Sequence, residues 1–214
     1  MTDQSDPRLP TAPDPNASAT PTNGMDPEMP ALPASLPASA ITAFLRNLRN
    51  IRHYQDRPVP DEILHDILEV ARWSGSAKNV QPWNFVVIRD RRTLDALAKQ
   101  PGFVRHVDRA PLGIMLVMDG ASDQIAQETF DEGRLTERIM LAADAHGLVS
   151  SIAWFGANGG PTSVAAKDIL GISPERLVRT LISIGYPDRE GHAADPNGLS
   201  GRKPLAETVH YDRW

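Results

Sequence analysis

Two groups of residues in this 214-residue chain have the types and spacing to do chemistry. The first is basic. Arg49 and Arg52 stand three apart with Asn50 between them, and Arg202–Lys203 form a second basic pair near the other end of the sequence. Converging guanidinium and ammonium groups make charge-assisted, often bidentate bonds to a phosphate. The second group is the polar turn Ser74–Gln81, which carries Ser76, Lys78 and Asn79 between an amphipathic helix and an apolar strand. Gly75 opens backbone geometries closed to other residues, and Pro82 biases Gln81 away from helix. Polar donors on a stiff turn suit a flat, heteroatom-rich ligand, and a well-capped loop accounts for them equally. Each arginine taken alone is ordinarily a solvated surface charge.

Other chemistries lack their residues. The chain has no cysteine, which excludes disulfides, thiolate catalysis and cysteine-ligated metal. None of its six histidines stands at metal-ligand spacing, and His65 reads as a solvated helix residue. The turn Gly156–Gly160 is neither a P-loop nor a dinucleotide fingerprint, and no G-x-S-x-G occurs. Arg89, Arg91 and Arg92 either attract a dinucleotide phosphate or open a solvent-facing helix. Net charge is −5, of which residues 1–40 carry −4 (five acids, one base), leaving −1 for the rest. A nearly neutral body does not suit nucleic acid. No apolar run reaches the roughly 20 residues of a membrane helix, and the N-terminus lacks a signal peptide. A reducing cytoplasm is the expected location.

The elements that must position these groups are legible in outline. Nine prolines fall in residues 1–40, so residues 1–38 are expected to be a disordered tail and residues 39–214 a single domain. Ser39 is placed to cap a helix with Ile41, Phe44, Leu45 and Leu48 on one face, which delivers Arg46, Arg49 and Arg52 to its end and beyond. A second helix follows Pro60, with Ile63, Leu64, Ile67, Leu68 and Ala71 inward. Strands are predicted at Phe85–Ile88, Gly113–Met118, Ser151–Phe155 and Arg179–Ile184. Helices are predicted after Arg92, over Asp131–His146 and from Pro161 to Gly171. Such alternation indicates an α/β or α+β layer fold.

Four segments in order resemble the nitroreductase family of FMN-dependent oxidoreductases. They are R-N-I-R-H-Y at Arg49–Tyr54, S-x-x-N-x-Q-P-W at Ser76–Trp83, Asp131-x-Gly133 with G-L-V-S at Gly147–Ser150, and I-G-Y-P at Ile184–Pro187 before Arg202–Lys203. Asn50 stands where a serine is usual, and Leu48 where many members have a second arginine. The resemblance implies an α+β fold with a central, mainly antiparallel sheet, assembled as an intertwined homodimer with FMN at the interface. It assigns the FMN phosphate to Arg49, Asn50, Arg52, Arg202 and Lys203, and the flavin to Ser76, Lys78 and Asn79, the turn and the arginines coming from different subunits. Gln81 holds the loop or touches the cofactor; Trp154 shapes the substrate face or fills the dimer core. The implied activity passes hydride from NADH or NADPH through FMN to a nitroaromatic, quinone or enone. The alternatives are a specialised relative that oxidises its substrate or consumes its flavin, a flavin-binding protein without turnover, and an interaction protein using the proline-rich tail.

Overall fold

The computed structural model describes residues 36–121, 123, 125–157, 159–188 and 201–214. The chain divides into two units, Met1–Ile41 and Thr42–Trp214. Most of the expected tail, residues 1–35, lies outside the described residues. In the first unit these cover Leu36–Ile41, where helix α1 (Ala38–Asn47) begins. Ser39 thus falls inside the first turn of α1 and not before it. Of the expected stripe, Ile41 and Phe44 are half-buried, Leu45 faces solvent, and Leu48, just past α1, packs half-buried against the core.

The second unit is built on a four-stranded antiparallel sheet in the order β1–β2–β4–β3, with β1 Trp83–Ile88, β2 Leu112–Met118, β3 Val149–Trp154 and β4 Leu177–Gly185. Every residue of β2 and β4 is buried, as the unbroken apolar run of β2 requires of a strand covered on both faces, while β4 also buries Arg179, Thr180 and Ser183. Four helices do the covering: α2 Asp61–Arg72, α3 Arg91–Ala98, α4 Ile125–Ala145 and α5 Pro161–Leu170. On one face Leu112, Ile114, Leu116 and Met118 pack with Leu64, Ile67 and Ala71 of α2 and Leu135, Ile139 and Ala143 of α4. On the other, Met115, Val117 and Leu181 pack with Leu94 and Leu97 of α3 and Ala166 of α5.

Local signals set most boundaries. The Asp90 carboxylate accepts from the Thr93 backbone N–H at 2.9 Å and so starts α3. Pro161 opens α5, and Gly171 ends it in the left-handed conformation at φ 66°. Helix α4 begins six residues before the expected Asp131, because its first turns are fixed by polar contacts that leave no apolar period. The Glu128 carboxylate accepts from the backbone N–H groups of Gly120 (2.8 Å) and Ala121 (3.1 Å). A bulge in β4 opposite Met115–Val117 adds one residue and reverses which face its side chains take. It leaves Arg179 buried, paired with Glu132 and bonded to Thr129 of α4.

Candidate functional site

Arg49–Tyr54 runs as an extended segment beside β3 and ties the end of α1 to the sheet. Asn50 bridges Ser150, and the Ile51 N–H donates to the Ser150 carbonyl at 2.9 Å. The Asn50 side chain adds to this: its Oδ1 accepts from the Ile152 backbone N–H at 3.2 Å and lies 3.5 Å from Ser151 Oγ. With Oδ1 engaged, the Nδ2 group remains as a donor. Farther along, Tyr54 is buried, its hydroxyl 2.8 Å from Ser183 Oγ, which in turn donates to the Ser151 carbonyl. Burial raises the Tyr54 pKa, and it remains a neutral hydrogen-bonding phenol.

Two depressions flank this segment. The first, about 560 Å³, is lined by Arg46, Arg49, Asn50 and Arg202 with Leu45, Leu48, Met140, Ile152 and one acid, Glu137. The Arg49 Nη1 also donates to the carbonyls of Arg46 (2.7 Å) and Leu48 (2.8 Å), using a cation to satisfy the C-terminal end of α1. Among the described lining residues, three guanidinium groups against one carboxylate leave about two positive charges, which matches the roughly −1.5 to −2 of a phosphomonoester. The second, about 280 Å³, is lined by Arg52, His53, Phe103, Arg105, His106 and Arg109. The Arg52 guanidinium lies over the Phe103 ring, 4.8 Å from its centroid.

The Ser74–Gln81 turn forms a third feature. Lys78, Asn79 and Gln81 all have positive φ (51°, 56° and 50°), the left-handed region that non-glycine residues seldom occupy. Ser76 Oγ holds the turn by accepting from the Gln81 N–H at 2.8 Å, and Gln81 Nε2 donates to the Asn79 carbonyl at 3.3 Å. The Ala77 N–H donates to the Asp131 carboxylate at 3.2 Å, which docks the turn on α4. Ser76 lines a depression of about 460 Å³ with Ala77, Phe130, Asp131 and Arg134. Trp83, just beyond, is core.

Of the residues singled out in the sequence, Arg49, Asn50 and Arg202 come together in one depression. Arg52 lies in the second depression and Ser76 in the third; Lys78, Asn79 and Lys203 are exposed and line none of the three. Trp154 is 46% exposed at the end of β3, where its N–H donates to the Phe103 carbonyl at 3.2 Å. Arg89 binds Asp61 (2.6 Å) and the Val59 carbonyl, and Arg91 binds the Asp108 and Ala110 carbonyls, so these two arginines are structural, while Arg92 is exposed. The basic run Arg105–Arg109 was not read as a site from the sequence. Its arginines lie four apart and Phe103 stands two residues before the first, but only folding brings Arg52 beside them.

The nitroreductase family model matches residues 45–102. An NADH dehydrogenase of Thermus thermophilus is 31% identical over 212 residues, covering 82% of this chain and 98% of the relative. The chain belongs to the nitroreductase family. An FMN reductase [NAD(P)H] of Bacillus subtilis is 24% identical over 185 residues, covering 79% of this chain and 72% of the relative. The solved structure of an FMN-dependent nitroreductase from Clostridium difficile R20291 superposes with a TM-score of 0.68 at 26% identity, covering 81% of this chain and 99% of that one. This nitroreductase-family chain is an oxidoreductase that works with FMN and NAD(P)H, on the α+β fold expected of it. Among its described residues, no helix is long and apolar enough to cross a membrane.

Proposed function

We propose that the chain reduces a small flat acceptor, a nitroaromatic, quinone or enone, as a homodimer in the cytoplasm. The observation that carries this reading is the convergence of Arg46, Arg49, Asn50 and Arg202, from the two ends of the second unit, on one depression. Those groups would hold the FMN phosphate, with charge-assisted bonds from the arginines and a neutral donor from Asn50 Nδ2. Bound FMN supplies hydride transfer between NAD(P)H and the acceptor. The protein's own part is to grip, orient and shield, so no side chain is assigned as acid, base or nucleophile. Trp154 and Phe103, both half exposed and joined by a backbone bond, offer an aromatic surface at the end of β3 for a flat acceptor.

A second copy completes the site in this reading. Ser76, Lys78 and Asn79 stand apart from the arginine depression, linked to it by α4, and would reach the flavin of a partner subunit. The incompletely buried stripe of α1 and the exposure of Phe130 (69%) supply apolar area for such an interface.

The test is an absorption spectrum of the purified protein, with the cofactor released by heat and identified. NAD(P)H should bleach the flavin bands without oxygen, and an added nitroaromatic should restore them. Arg202→Ala should release FMN more readily by roughly 10- to 150-fold in Kd, the worth of one charge-assisted contact. A colourless protein that takes up no FMN would end this reading.

A further inference from the structure

The second depression shares no described lining residue with the first, yet it is the more basic of the two. Arg52, Arg105 and Arg109 line it with His53 and His106, and among the described residues no aspartate or glutamate does. Among the described residues neither Arg105 nor Arg109 is ion-paired with a carboxylate. Asp108 faces the neighbouring depression with Arg105, on the other side of the short turn. Arg52 Nε and His106 Nε2 are buried and have no hydrogen-bond partner among the described groups. Buried donors are left unmatched at a cost unless something outside the chain meets them. Burial, and then the charges of Arg52 and Arg109, lower the His106 pKa to about 4.

The shape narrows the ligand further. Phe103 is 56% exposed, with Arg52 over its ring and the His106 imidazole 5.4 Å from its centroid. At about 280 Å³ the space is too small for a dinucleotide, but it suits one anionic group with the ring that carries it. It adjoins Trp154 through the Phe103–Trp154 bridge, at the end of β3 where the acceptor is placed above. We propose that the depression formed by Arg52, Phe103, Arg105, His106 and Arg109 is an anion subsite that selects aromatic substrates bearing a carboxylate or phosphate. The inference rests on the function proposed above and deepens it: the favoured substrate is an anion. Two sources share that chemistry, an acidic acceptor and the additional phosphate of NADPH.

The experiment compares Arg105→Gln, Arg109→Gln and the double variant with the unaltered FMN-loaded protein. One arm uses 4-nitrophenylacetate and its methyl ester, whose charge is insulated from the nitro group by a methylene. The other arm uses NADPH and NADH. The double variant should lose roughly 10- to 100-fold in kcat/KM for the member of one pair that carries the additional anionic group, with the other member unchanged. The pair that responds identifies the source. A readout without turnover is the His106 imidazole titration by NMR, which 4-nitrophenylacetate should shift upward in the unaltered protein and not in the double variant. Unchanged discrimination in both arms together with an unmoved His106 overturns the subsite. A fall in FMN content in the double variant, with Arg202→Ala retaining its FMN, would give the depression to the cofactor and also overturn it. A protein that binds no FMN but still shows the His106 shift would retain the subsite while losing the function proposed above.

Discussion

Asn50→Asp changes one atom group and separates the two jobs assigned to that side chain. The Oδ1 oxygen that accepts from the Ile152 N–H at 3.2 Å is retained, and as a carboxylate it accepts more strongly. The tie between the extended segment and β3 should therefore survive, and the unfolding midpoint in urea should not fall. The Nδ2 donor, by contrast, is replaced by a negative oxygen in a depression that also holds Arg46, Arg49 and Arg202. Losing a hydrogen bond to a charged phosphate costs about 1.5–3 kcal/mol. Repulsion between the new carboxylate and the phosphate, at roughly 5 Å in a water-like dielectric, adds about 1 kcal/mol. The sum, about 2.5–4 kcal/mol, weakens FMN binding by roughly 10²–10³-fold. Quenching of FMN fluorescence on titration with cofactor-free protein measures it. Asn50→Ala is the companion: it loses the strand tie as well, so both affinity and stability should drop, the latter by about 1 kcal/mol. Unaltered FMN affinity in Asn50→Asp would refute the placement of Nδ2 at the phosphate. Affinity and stability falling together would show that Asn50 acts only through the fold.

Other outcomes follow from the core and from one histidine. Glu132→Ala leaves Arg179 buried with Thr129 as its remaining side-chain partner, and should cost about 3–5 kcal/mol in urea unfolding. Replacing both members, Glu132→Leu with Arg179→Met, should recover most of that loss, since the uncompensated charge is then gone. In Gly185→Ala the new methyl would stand 2.7 Å from Pro111 Cδ and 2.9 Å from Tyr54 Cδ1. Neither ring can yield cheaply, so a loss of about 1–3 kcal/mol is expected, read as a lower thermal midpoint. His106 titrates near 4 in the folded protein and near 6.5 when unperturbed. Between those values the unfolded chain holds more protons, so the contribution of the neutral imidazole, complete above about pH 6.5, is lost as pH falls toward 4. His106→Gln should flatten that part of the stability profile.

The sequence by itself determined the element types and the family, and it named part of the candidate site. The continuous apolar run at Gly113–Met118 marked a strand buried on both faces, because only such a strand can do without a polar period. Pro161, Gly171 and Asp90 set helix limits through chemistry local to the chain. Arg49 and Asn50 were visible by their spacing and by the pattern around them. The start of α4 was not, since Glu128 and Asp131 are fixed by backbone groups of other segments. The apolar face of α1 was visible but its covering was not, because periodicity shows that a helix has an apolar face and not what covers it. Tertiary structure alone separated Arg52 from Arg49, although they stand three apart: an extended segment sends near neighbours into different depressions. It also joined Arg202 to Arg46 across more than 150 residues, and Arg52 to Phe103 and Arg109, because which charges share a site depends on chain path and not on sequence distance.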